Sequence, residues 1–314
     1  MSNRLIILIS LACAACASVP AGSPGSASAE LQQHTLTSSG APRSFWLYHP
    51  DSAKPGAPLL FVLHGSTGTG AQIRRTTAER FDRLADQYGF TLIYPDGFER
   101  HWNDCRGSAS YSANIRNIDD PRFFRDMVAF VQASTGSPPA RVDAVGHSNG
   151  GHMAFRLGYE AADLVTAITA ISANLPEVAN SDCRPSHQPV TVMLMNGTDD
   201  PINPYQGGVV TLNGDASRGQ VMSADASARY WASLITQHKP IKKTLRERDG
   251  NPQTRVIRHL WQGEQHHVAL YTLQGSGHVI PGPELQFPAS IGPDAGDISA
   301  PDIVVQTLMG KKLD

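Results

Sequence analysis

The sequence predicts an α/β fold, a mostly parallel central sheet flanked by helices, and three observations carry that expectation. Short apolar runs recur along the chain: Leu59-Leu60-Phe61-Val62-Leu63, Phe90-Thr91-Leu92-Ile93-Tyr94, Val165 to Ile171, Val190 to Met195 and Val268 to Leu273. Runs of this length, apolar on both faces, mark strands covered on both sides. Segments with helical apolar spacing lie between them, and that alternation argues for a parallel sheet wrapped by helices. Finally, 40% of the 314 residues are apolar and 17% charged, enough material for one large globular domain.

The first residues differ from the rest. Arg4 precedes Leu5 to Ala17, an apolar segment too short to span a bilayer comfortably, so it reads as a secretory signal. Ser18 to Glu30 is rich in Ser, Ala, Gly and Pro and reads as a flexible tether. Residues 1–29 are therefore assigned to signal and tether, and 30–314 to a single domain. Ala27-Ser28-Ala29 offers a small-x-small cleavage site. A second reading makes Cys16, after Ala14-Ala15, the lipid-bearing cysteine of a lipoprotein. Either way the domain leaves the cytoplasm, secreted or periplasmic. Cys105 and Cys183 then sit in an oxidising compartment, where a bridge is expected and two separate thiols are the alternative. A formal charge of -2 gives no electrostatic ground for a nucleic-acid partner, and a monomer is expected.

Element by element, Phe45-Trp46-Leu47-Tyr48 precedes a turn-rich stretch with Pro50, Pro55, Gly56 and Pro58. The strand Leu59–Leu63 ends in the loop His64-Gly65-Ser66-Thr67-Gly68-Thr69-Gly70. Thr76 to Tyr88 places Phe81, Leu84, Ala85 and Tyr88 at helical spacing, and Gly89 stops the helix. Pro95-Asp96-Gly97 closes the next strand. Helices are expected over Phe123 to Val131 and from about Ser223 to Gln237. Pro281 to Pro301 reads as a long surface loop before a terminal helix.

The chemistry centres on Gly146-His147-Ser148-Asn149-Gly150. This pentapeptide follows the strand-like Arg141 to Val145 and precedes the helix-like Gly151 to Leu157, the order of the nucleophile elbow in an α/β-hydrolase. Glycines there leave room for a tight strand-to-helix turn that lifts the serine hydroxyl above the sheet. A serine needs a base to take its proton, and the base needs an orienting acid. In this fold the acid and then the histidine follow the serine along the chain. Asp200 stands after the strand ending at Met195, with Asp199 in reserve. Of twelve histidines, His278 alone occupies a Gly-rich loop after a late strand. The amides of Ser66 and Asn149 are the candidate oxyanion donors. No His-Glu-x-x-His or paired-cysteine pattern calls for a metal, no phosphate or dinucleotide loop is present, and no cofactor is expected.

Further segments complete a set: Leu63-His64-Gly65, Tyr94-Pro95-Asp96-Gly97, Trp102-Asn103 with Cys105, Ser172-Ala173-Asn174-Leu175-Pro176, Cys183, Gly197-Thr198-Asp199-Asp200 with Pro204-Tyr205-Gln206-Gly207-Gly208, and Gly277-His278-Val279-Ile280-Pro281-Gly282. From Phe45 to Leu308 the chain resembles the secreted polyhydroxybutyrate depolymerase and feruloyl esterase-like family of α/β-hydrolases. The resemblance implies Ser148 as nucleophile, Asp200 as acid and His278 as base, pairs Cys105 with Cys183, and puts Trp102 and Asn103 near the acyl pocket. Tyr205 and Met153 are further candidates for its walls. Ile280 stands where the family often has Trp, and no polymer-binding module is expected after the domain.

The expected function is a secreted serine carboxylic-ester hydrolase without a large cap domain. It would act on hydroxybutyrate-type polyesters or oligoesters, or on feruloyl-type esters. A serine peptidase or a non-catalytic polymer- or surface-binding protein on the same fold are the alternatives.

Overall fold

The computed structural model describes residues 30–285, 287–294 and 296–311. The signal, the tether, Cys16 and Ala27-Ser28-Ala29 lie outside the described residues. In chain order the strands are β1 (Gln32–Ser38), β2 (Ala41–Tyr48), β3 (Leu59–Leu63), β4 (Thr91–Pro95), β5 (Val142–His147), β6 (Ala167–Ile171), β7 (Thr191–Gly197), β8 (Gly208–Val209), β9 (Gln220–Val221), β10 (Ile241–Thr244), β11 (Arg255–Gln262) and β12 (His267–Gln274). The helices are α1 (Gly70–Thr76), α2 (Arg80–Tyr88), α3 (Ser112–Ile115), α4 (Asp120–Thr135), α5 (Asn149–Glu160), α6 (Ala224–Ser233) and α7 (Ala300–Leu308).

One ten-stranded sheet runs in the order β1-β2-β4-β3-β5-β6-β7-β12-β11-β10. Its six central strands, β4 to β12 in that order, pair in parallel, while β1–β2 and β11–β10 form antiparallel edges. Period-two alternation explains why the central runs are apolar throughout. On β3, Leu59, Phe61 and Leu63 face a core completed by Phe124 and Met127 of α4, Met153 and Phe155 of α5 and Trp231 of α6. Leu60 and Val62 face the opposite core, with Ile73 of α1, Phe81 and Leu84 of α2 and Val304 and Leu308 of α7. Each strand residue therefore has an apolar neighbour whichever way it points.

The chain passes from β3 to β4 on one side and later to β5 on the other, so the strand order reverses between β3 and β5. A crevice opens outside the carboxyl ends of the strands at such a reversal. The His64 loop and the Ser148 turn are the two ends that meet there.

Two expectations need correction. Thr76 to Tyr88 is not one helix: Ala78 and Glu79 adopt left-handed φ of 47° and 55°, which ends α1 and restarts the chain as α2. The apolar spacing survives because Phe81, Leu84 and Ala85 all belong to α2. Pro281 to Pro301 is only partly a surface loop, since Leu285, Asp297 and Ile298 are buried in it. Cys105 and Cys183 form the expected disulfide, closing a sequence separation of 78 residues.

Candidate active site

Ser148 sits between β5 and α5 with φ 56° and ψ -120°, a conformation that costs a residue with a side chain about 1–3 kcal/mol. Its amide donates to Ile171 O at 2.8 Å, and its carbonyl accepts from His152 N at 3.0 Å. The flanking glycines are required by close backbone approach. A Cβ on Gly146 would lie 2.1 Å from Gly150 O, and one on Gly150 would lie 2.5 Å from Leu63 O. The end of β3 and the Ser148 turn thus pack backbone against backbone.

His64 locks the neighbouring loop. Gly97 N donates to its Nε2 at 2.9 Å, so that nitrogen is bare, and Nδ1–H is left to donate to Gly65 O at 2.7 Å. Burial pulls its pKa down to about 4, so the ring is neutral. Asp96 continues the lock, accepting from Gly70 N at 2.8 Å and from Ser44 Oγ at 2.7 Å. Ser66 lies on this fixed loop, half-buried.

Asn149 opens α5, and its side chain is held from several directions. Its Oδ1 accepts from Trp102 N at 2.8 Å, while its Nδ2 donates to Trp102 O at 3.1 Å and Asp104 Oδ2 at 2.6 Å. Asp104 is fully buried beside Arg106 and Tyr111. Burial alone would raise its pKa; the Arg106 guanidinium outweighs that and draws it down to about 2. A buried ionic knot therefore anchors the residue after Ser148.

Asp200 follows β7, and His278 lies in the loop after β12. His278 Nδ1 donates to Asp200 Oδ2 at 2.7 Å, with side-chain exposures of 5% and 1%. Asp200 Oδ1 accepts from Ile202 N and Asn203 N, both at 2.8 Å, so both oxygens are engaged. Asp199 is exposed and bonded to Thr198 instead. His278 N donates to Ile291 O at 2.7 Å, fixing the backbone that carries the ring. An Nδ1–H committed to a carboxylate leaves Nε2 bare to accept a proton.

Ser148, His278, Ser66 and His147 line one cleft of about 290 Å³, with Ile73, Ile202, Leu212 and Phe287 supplying apolar wall. The rings of His147 and His278 lie 4.9 Å apart between centroids. Burial first, and then His278, hold the His147 pKa down to about 3. The cleft thus has an alcohol, an imidazole backed by a carboxylate, and otherwise uncharged walls.

No family model matches the chain. "Putative esterase NocK" of Nocardia uniformis subsp. tsuyamanensis is 25% identical over 276 residues, covering 81% of this chain and 75% of that protein. "Feruloyl esterase B" of Piromyces equi is 26% identical over 159 residues, 49% of this chain but only 28% of that longer protein. Among solved structures, the acetyl xylan esterase from Aspergillus awamori superposes with a TM-score of 0.57 at 16% identity, over 80% of this chain and 95% of that one. That likeness settles the fold, and the curated relatives are esterases. The chain has the α/β-hydrolase fold.

Not every residue expected at the Ser148 cleft reaches it. Trp102, Asn103, Tyr205 and Met153 are absent from its lining. Trp102 is fully buried in the core, and its Nε1 donates to His64 O at 2.9 Å, which supports the loop from behind. Asn103 Nδ2 donates to Ile118 O at 2.8 Å, Tyr205 pairs its hydroxyl with Thr272, and Met153 is core. These neighbours of the site motifs brace its scaffold rather than form its walls. The walls that are present, Ile73, Ile202, Leu212 and Phe287, come from four separate segments without a shared signature in the sequence. Asp104 and Arg106 were also missed; an acid and an arginine two residues apart, next to Trp102, was the available signal.

Proposed function

We propose that this esterase is a serine enzyme whose nucleophile is Ser148, with His278 as base and Asp200 as its orienting acid. His278 Nε2 takes the hydroxyl proton as the serine oxygen attacks an ester carbonyl. The amides of Ser66 and Asn149 bind the oxyanion, and the alcohol leaves with the proton from His278. Water then repeats the two steps on the acyl-enzyme and releases the acid. Asp200 keeps Nδ1 protonated throughout and stabilises the imidazolium. Each oxyanion donor supplies about 3–4 kcal/mol in such a site.

The buried Asp200–His278 hydrogen bond, on a cleft shared with Ser148, is the observation that carries this reading. The substrates we infer are esters of small acyl, feruloyl or short hydroxyacyl groups, in keeping with the relatives' names and with a cleft of about 290 Å³. One domain, residues 30–314, carries the whole activity in this proposal, and its working place is outside the cytoplasm, soluble or tethered through Cys16.

Comparing hydrolysis of methyl ferulate, a hydroxybutyrate oligomer and p-nitrophenyl esters of graded length separates the substrates. Retained turnover in Ser148→Ala would overturn the serine mechanism.

A further inference from the structure

A second cleft, of about 670 Å³, opens where β10 and β11 meet α2, α7 and the Gly282–Leu285 segment. Its character is cationic. Arg80, Lys243, Arg246, Arg248 and Arg258 line it, in a chain whose formal charge is -2. In the β10–β11 ladder Lys243 stands directly opposite Arg258, a like-charged cross-strand pair. Among the described residues, Lys243, Arg246 and Arg248 make no ion pair.

Three acids share the lining, and two of them are already paired with arginines. Asp302 takes a two-pronged contact from Arg80, at 2.6 and 3.2 Å. Glu284 is held by Arg83 at 2.5 Å. Asp297 accepts from the backbone amide of Arg248 at 2.6 Å. Glu247 and Asp249 stand beside Asp297 but do not line the cleft.

The two clefts are linked along the chain. Leu285 lines the cationic one and Phe287 the serine one, and two residues of chain place their Cα atoms no more than about 7 Å apart. Gly282 likewise follows His278 by four residues, within about 15 Å.

We propose that the cationic cleft is a subsite for a carboxylate on the leaving-group side of the ester, so that the enzyme prefers oligoesters ending in a free acid. This rests on the serine reading of the neighbouring cleft. A hydroxyacid oligomer carries one carboxylate at its end, and hydrolysis leaves that carboxylate on the released alcohol fragment. Lys243, Arg246 and Arg248 on the rim and Arg258 on the floor would hold it through charge-assisted hydrogen bonds.

The test compares kcat/KM for a hydroxybutyrate trimer with a free terminal acid and for the same trimer as its methyl ester. The native enzyme should favour the free acid roughly tenfold, the size of one or two hydrogen bonds to a charged group. The triple variant Lys243→Gln/Arg246→Gln/Arg248→Gln should bring that ratio to about one. Because the ratio is taken within one protein, loss of folded enzyme cancels. Equal rates in the native enzyme, or an unchanged preference in the triple variant, would overturn the proposal. Failure of the serine reading shows separately, as hydrolysis of p-nitrophenyl acetate by Ser148→Ala.

Discussion

The Ser148 cleft and the cationic cleft handle charge in opposite ways. Around Ser148 burial holds two rings neutral, His64 near 4 and His147 near 3, and apolar side chains fill much of the remaining wall. The one exception is the buried carboxylate of Asp200, bonded to His278. In the cationic cleft, Lys243, Arg246 and Arg248 stay exposed and charged. The difference follows from where each cleft sits in the sheet. Parallel central strands end together over a buried crevice, where charge is costly unless paired. The antiparallel edge leaves β10 exposed along its whole length, where charge costs little. A reaction that develops negative charge benefits from the first environment, because fixed donors act strongly where no stray charge or water competes.

Substitutions test that contrast, and the largest effects belong on the Ser148 side. Ser148→Ala should lower kcat about 10⁶-fold, the scale seen when a nucleophile of this kind is removed, with the fold intact by circular dichroism. Asp200→Asn should lower kcat about 10⁴-fold, because the imidazole is then held in the wrong tautomer. A fall of less than tenfold would mean that the 2.7 Å contact with His278 is structural only.

Next comes the Cys105–Cys183 disulfide. Replacing Cys105 and Cys183 by alanine opens a loop of 78 residues and should reduce stability by about 4 kcal/mol, read from chemical denaturation.

Acidification should weaken the crevice before it touches the cationic edge. His64, His147 and His152 titrate in the folded chain near 4, 3 and 3. In the unfolded chain they protonate near 6.5. Their neutral burial therefore stabilises fully above 6.5, and that contribution is lost as pH falls from 6.5 towards 3. Each should remove roughly 1 kcal/mol at one pH unit below its unfolded value. Asp143, raised to about 6 by burial, acts in the opposite sense over part of this range, as do the raised Asp82 and Asp120, while half-buried His267, near 4, adds to the loss. Denaturation midpoints measured at pH 7.5 and 5.5 should show a net fall, and equal midpoints would contradict the neutral-crevice description.

The smallest effect concerns size selection. Phe287→Ala removes one apolar wall and should shift the ratio of kcat/KM for long over short acyl esters by roughly tenfold.

Much of the crevice was legible in the sequence because its parts are local. A buried parallel strand is a continuous apolar run, and the glycines around Ser148 answer to contacts a few residues away, as Gly146 meets Gly150 O. The acid and base could be chosen by chain order because the fold fixes that order. The walls were not legible: Ile73, Ile202, Leu212 and Phe287 have ordinary identities and meet only through tertiary packing. Trp102 misled for the converse reason, since a large aromatic near a motif looks like a pocket wall until its Nε1 is found bonded to His64 O. The break between α1 and α2 escaped because Ala78 and Glu79 carry side chains that seldom adopt positive φ. The cationic cleft escaped because β10, with its Lys242-Lys243 pair, is short and exposed throughout, so no hydrophobic period announces it.

Labelling with a fluorophosphonate, followed by peptide mapping, tests the central claim most directly. The account predicts one adduct, on the peptide containing Ser148, and its disappearance in Ser148→Ala together with ester turnover. An active enzyme that takes no label, or takes it on another residue, would contradict it.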